Sequence, residues 1–174
     1  LPDSDAAWDM QEACQTRLAA AGFAQYEVSA HAQADRRCAH NLNYWRFGDY
    51  LGIGAGAHGK FSDASSGRIL RTAKLKTPAG YLDRAARREA FGSQSEVAAR
   101  DLPFEFMMNA LRLNEGVAAD DFKARTGLGA EAISTLLDDA RSRGWLVEDP
   151  ARIVATALGQ RYLNDVIELF LPES

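Results

Sequence analysis

The sequence predicts an α/β first part followed by a mainly helical second part, and three observations carry that prediction. A helix pattern ending at Gly22 runs directly into a β-type segment, which is the order of one α/β unit. The charge changes along the chain: residues 1–94 hold 12 Lys+Arg against 10 Asp+Glu, a net of +2, and residues 95–174 hold 8 against 14, a net of −6. The order of elements after residue 101 is helix, turn, helix, two β-type runs and a last helix, the order of a winged helix. A chain of 174 residues with 47% apolar and 25% charged residues has the composition of a globular protein with a sizeable core.

Taken in order, Ser4 or Asp5 is the expected cap of the first helix. Trp8, Ala13, Leu18 and Ala19 recur at roughly helical spacing, and Gly22 closes it. Residues 23–30 (FAQYEVSA) read as a strand, because Phe23, Tyr26 and Val28 are β-formers. Residues 31–39 are polar and irregular. A second strand is expected over 50–61 (YLGIGAGAHGKF), with Gly52, Gly54 and Gly56 at spacing two baring one face for close approach of a backbone or ligand. A third is expected over 66–74 (SGRILRTAK) after a turn at Ser65, Ser66 and Gly67. Thr77 and Pro78 then open a helix running to about Ala90. Residues 91–101 (FGSQSEVAARD) read as a linker or crossover. Helices are expected over 101–113, where Leu102, Phe106, Met107, Ala110, Leu111 and Leu113 make an apolar face, and over 119–126, 131–143 and 157–170. Two short β-type runs, WLVED and RIVAT, flank Asp149 and Pro150.

Several function classes lose support at this level. The net charge of −4 offers no attraction for nucleic acid or an anionic membrane. No apolar run approaches the roughly 20 residues of a membrane span, and no basic stretch precedes a hydrophobic signal segment. Cys14 and Cys38 cannot supply the thiolates of an iron–sulfur cluster or a structural zinc site, and they read as reduced thiols of a cytoplasmic protein. The spacing Gly54, Gly56, Gly59 matches G-x-G-x-x-G but fails as a dinucleotide fingerprint, since Lys60, Phe61, Ser62 and Asp63 open no helix there. His31, His40 and His58 lack the spacing of a metal triad. The expected recognition helix over 131–143 carries Glu131, Asp138 and Asp139 against Arg141 and Arg143, which suits a docking module better than a DNA reader.

One constellation has positive chemistry. Haem iron needs a single accessible imidazole beside aromatic and apolar surface, and His40 with Tyr44 and Trp45 offers that set.

The segments QYEVSAHA, HNLNYW, DYLGIGAGAHG, RTAKLKTPAGYL and EFMMNALRLNEG occur here in that order. Together they resemble the C-terminal half of the HemW-like radical S-adenosylmethionine (SAM) proteins, relatives of oxygen-independent coproporphyrinogen III oxidase. The resemblance implies that residues 1–94 are terminal β/α units of a partial radical SAM barrel and that residues 95–174 are a helical, winged-helix-like C-terminal domain. It implies haem binding by His40, Asn41, Tyr44 and Trp45, with His40 as iron ligand, and haem transfer to an acceptor protein. It also places Ile53, Gly54 and Ala55 on the adenine side of SAM. The [4Fe–4S] cluster and SAM belong to the family's C-x-x-x-C-x-x-C half, which has no counterpart in this sequence. With Leu1 as first residue, a truncated, catalytically inert C-terminal piece is the expectation, and an open barrel edge would favour a homodimer. The alternatives are a porphyrinogen decarboxylase using the SAM radical, and a winged-helix docking or DNA-binding module.

Overall fold

The computed structural model describes residues 2–87, 89 and 92–172. The first helix, α1, spans Ser4–Ala20. Its cap is Asp3, whose carboxylate accepts from the Ala6 N–H at 2.8 Å, one position before the expected residues. No residue of α1 is buried; Ala6, Trp8 and Gln15 are half-buried and the rest of the helix is exposed. Gly22 turns the chain at φ 82°.

The expected strand over 23–30 is a tight hairpin: β1 (Ala24–Glu27) pairs antiparallel with β2 (Ala30–Ala32). The far side of β1 is taken by the second half of the chain, where Val28 N–H donates to the Arg112 carbonyl and Asn114 N–H to the Tyr26 carbonyl. The polar stretch thereafter is not irregular to its end, because Ala39–Trp45 form helix α2.

Residues 51–57 are not a strand, which corrects the expectation for the glycine-rich segment. Gly54 and Gly56 take φ of 103° and 72°, values a flat strand does not contain, and the extended run begins only at β3 (His58–Asp63). Close approach does occur at Gly52, where a Cβ would lie 2.3 Å from the His58 carbonyl oxygen, so the neighbour is the chain's own backbone. β3 pairs antiparallel with β4 (Arg68–Ala73), turning on Gly67 at φ 69°. Helix α3 (Pro78–Ala86) follows with Pro at its start. The expected helix end at Ala90 and linker start at Phe91 lie outside the described residues. Within 91–101 the chain forms β5 (Ser93–Glu96), an exposed edge strand antiparallel to β4. All described strand pairs are antiparallel.

The second half contains α4 (Leu102–Ala110), β6 (Val117–Ala118), α5 (Ala119–Thr126), α6 (Ser134–Ser142), β7 (Arg152–Ile153), α7 (Ala157–Arg161) and α8 (Leu163–Glu168). α5 keeps its expected bounds: the Asp121 carboxylate accepts from Ala118 N–H at its start, and Gly127 ends it in the left-handed region at φ 76°. The expected last helix breaks at Tyr162 (φ −111°). β6 and β7 form a two-stranded ladder, and a bridge joins Leu146 to Ala155.

The core lies between these helices and draws in the first half. Phe106 is fully buried, edge-on to Phe122 at 5.4 Å and to Phe47 at 5.7 Å, and Ile69 of β4 joins the same cluster. Burying each such ring contributes roughly 1.5–3 kcal/mol, so the core spans the charge boundary near residue 94.

Candidate functional site

α2 is seven residues long, has no side-chain hydrogen bond at its Cys38 cap and buries none of its residues. A helix this short does not hold itself in water, so its place is set from outside.

Asn41 and Trp45 face inward. The Asn41 side-chain amide donates to the Tyr26 hydroxyl at 3.3 Å. Trp45 packs against the core, and the Arg112 guanidinium lies over its ring at 4.3 Å. Arg112 in turn pairs with Glu27 at 3.3 Å; Glu27 is almost fully buried and also accepts from the Ser29 hydroxyl. The Trp45 indole N–H is buried and has no hydrogen-bond partner.

His40 and Tyr44 face the other way. His40 is exposed, and its ring meets the Tyr44 ring edge-on at 4.7 Å. Tyr44 stacks on Tyr50 at 3.9 Å with an interplanar angle of 24°. Burial and a hydrogen bond with Tyr50 push the Tyr44 phenol up to about 12, so it is protonated throughout the physiological range. The Tyr50 hydroxyl accepts from Arg71 at 2.8 Å, and Arg71 pairs with Glu105 of α4.

The turn that follows α2 is fixed by a buried ammonium. Lys60 Nζ donates to the Phe47 carbonyl and the Asp49 carboxylate, both at 3.0 Å, and to the Ser62 hydroxyl at 3.3 Å. It also sits 4.1 Å from the centre of the Phe47 ring. Phe47 has φ 55°, a conformation that non-glycine residues rarely adopt, and this set of bonds holds it there. Burial lowers the Lys60 pKa despite Asp49. At Asp49 burial opposes ionisation, but hydrogen bonds from Ser62 and Lys60 outweigh it and lower the pKa.

Ile53, Gly54 and Ala55 lie apart from α2, on the loop that leaves Tyr50. Ile53 is 84% exposed, and Gly54 N–H donates to the Tyr81 hydroxyl of α3 at 3.2 Å. The structure therefore gathers His40, Asn41, Tyr44 and Trp45 on one helix, and the loop leading to 53–55 is tied to that helix by the Tyr44–Tyr50 stack and by the Asn43 amide, which donates to the Asp49 carbonyl at 2.8 Å. Cys14 and Cys38 are both free and exposed, on α1 and at the start of α2, and do not fit a [4Fe–4S] cluster. Among the described residues no group of three or more His, Cys, Asp or Glu is placed to hold a metal ion. None of their helices is long and apolar enough to cross a membrane. Spacing alone did not reveal Tyr50, Arg71, Glu105 or Arg112. Tyr50 sits on the loop that follows α2, and Arg71, Glu105 and Arg112 come from distant parts of the chain.

The chain is thus a mixed α/β protein in which a short helix with an exposed histidine is braced by a helical second half. Residues 97–162 match the HemN C-terminal domain family. The chain is 47% identical to heme chaperone HemW of Escherichia coli and 46% identical to heme chaperone HemW of Haemophilus influenzae, each over 99% of this chain and 44% of the relative. Over 76 residues it is 46% identical to the mouse radical S-adenosyl methionine domain-containing protein 1, mitochondrial, covering 44% of this chain and 17% of that protein. The solved structure of coproporphyrinogen III oxidase (HemN) from Escherichia coli, a radical SAM enzyme, superposes with a TM-score of 0.67 at 16% identity, covering 98% of this chain and 42% of that one, which speaks to the fold. The likeness to the HemW heme chaperones extends over essentially the whole of this chain. It spans less than half the length of the curated relatives it matches.

Proposed function

We propose that this chain is the haem-binding part of a haem chaperone and that His40 is its iron ligand. The observation that carries the reading is the placement of α2: its inward residues Asn41 and Trp45 are engaged with Tyr26 and Arg112, while the His40 imidazole is left exposed against an aromatic stack. The residues fit a haem. The His40 imidazole would supply a nitrogen to the iron, and the Tyr44 and Tyr50 rings would give apolar surface beside it. When bound, the haem would be cargo, to be passed to an acceptor. Asn41 and Trp45 then serve by holding the helix, and Tyr44 by holding the imidazole.

The names of the relatives support this reading: the heme chaperones align with 99% of the chain. In the longer protein, SAM and a [4Fe–4S] cluster would be held by residues outside this chain, with Ile53, Gly54 and Ala55 on the adenine side. We take residues 1–94 as the part that joins the radical SAM barrel and residues 95–174 as a winged-helix-like module for docking the acceptor. The test is an equilibrium titration of ferric haem into this chain, read at the Soret band. Saturable binding that His40→Ala abolishes is expected. Identical spectra for the two proteins would refute the assignment.

A further inference from the structure

We propose that Arg71 and Glu105 are positioning residues for His40, acting through Tyr50 and Tyr44, so that the second half of the chain sets the geometry of the haem-binding helix. This rests on the reading of His40 given above. The line is continuous. Glu105, on α4, pairs with Arg71 of β4; Arg71 donates to the Tyr50 hydroxyl at 2.8 Å; Tyr50 stacks on Tyr44 at 3.9 Å; and the Tyr44 ring meets the His40 ring at 4.7 Å. Arg71 and Glu105 are both mostly shielded, with side-chain exposures of 29% and 24%, so water competes weakly with their pairing.

The need for such a line follows from α2 itself. It is seven residues long, lacks a side-chain cap and buries no residue, so the Tyr44 ring that meets His40 must itself be held from outside the helix. The other anchors hold the helix but do not reach its outer face. Arg112 engages Trp45, and Glu115 pairs with Arg37 at 2.7 Å and Arg46 at 3.2 Å, one before the helix and one just after it. The imidazole meets the Tyr44 ring, which Tyr50 backs by stacking. Glu105 lies inside the matched HemN C-terminal domain, which gives that domain a task at the haem site besides its own packing.

The experiment has two arms on the same chain. The first follows the His40 ring protons by NMR without haem. The Tyr44 contact should displace them from solvent-exposed values in the native chain. In Arg71→Ala they should move to exposed values, with partial return in Arg71→Lys. Tyr50→Phe, which keeps the stack but loses the hydroxyl, should fall between. The second arm titrates ferric haem: Arg71→Ala and Glu105→Gln should weaken binding about 10-fold, the loss expected when an outer partner of a metal ligand is removed, and should shift the Soret maximum. Unchanged ring protons and unchanged affinity in Arg71→Ala would overturn the inference. If the native chain binds no haem, the functional reading fails, and the ring-proton arm still decides the positioning. Should Arg71→Ala unfold, Tyr50→Phe and Glu105→Gln carry both arms.

Discussion

Removing the carboxylate of Asp49 should destabilise the chain more than removing the ammonium it faces. The Lys60 side chain is 2% exposed and Asp49 is 45% exposed. In Asp49→Ala the ammonium stays buried with only the Phe47 carbonyl and Ser62 hydroxyl as acceptors. Breaking a fully buried pair this way costs about 3–5 kcal/mol. Because water reaches the Asp49 side, about 2 kcal/mol is the working figure here. Lys60→Met keeps the volume of the stem and removes the buried charge. It forfeits the bonds to the Phe47 carbonyl, Asp49 and Ser62, but Asp49 still accepts from the Ser62 N–H and hydroxyl and only the Phe47 carbonyl loses its side-chain donor, a cost of about 1 kcal/mol. Urea denaturation of the two variants, with the slope unchanged, gives the order directly. In thermal melts Asp49→Ala should lie about 4–8 °C below the native chain. A Lys60→Met chain less stable than Asp49→Ala, or an Asp49→Ala chain equal to the native one, would refute the account of the turn after α2.

Acid should weaken the fold. Asp49 and Glu115 have pKa values held below the ordinary 3.8 and 4.5, Glu115 chiefly by its hydrogen bond from Arg37. Groups depressed in the folded state contribute stability that is in place above the unfolded values and is lost as pH falls through them toward the folded ones. Melting temperatures should therefore fall as pH drops below about 5, with a shallower fall in Glu115→Gln; a rise on acidification would contradict the pairing. Gly52→Ala should destabilise by about 1–3 kcal/mol, as overpacking does, because its Cβ would meet the His58 carbonyl at 2.3 Å, whereas at Gly54 nothing lies within 4 Å and only the φ of 103° resists. Phe106→Ala should cost about 3–5 kcal/mol, and near-ultraviolet signals from both halves should melt together, since Phe47 and Phe122 both lose their partner ring.

How much of this could be read from the residues depended on whether the signal was local. α5 was legible because Asp121 and Gly127 carry its start and end within ten residues. The β3–β4 hairpin was legible at Gly67, although β3 begins at His58 and not at Tyr50. The spacing-two glycines misled because the same residue type that bares a strand face also permits the positive φ of a turn. α2 was hidden for the opposite reason: Asn41 and Asn43 are weak helix formers, and the helix stands on partners as distant as Glu105, Arg112 and Glu115. β5 was hidden by its polarity, since all four of its residues are exposed on a sheet edge. At the site, the resemblance pointed to His40, Asn41, Tyr44 and Trp45, but which of them face outward was not in the sequence. That division came from long-range pairings, with Tyr26 and Arg112 on one side and Tyr50 on the other.

The central claim, that His40 supplies the iron ligand, is tested most directly by electron–nuclear double resonance on ferric haem bound to the chain carrying ¹⁵N-histidine. A strongly coupled ¹⁵N signal is expected in the native chain and in His31→Ala and His58→Ala, and its loss is expected in His40→Ala alone. A coupled histidine nitrogen that persists in His40→Ala, or none in the native complex, would contradict the account.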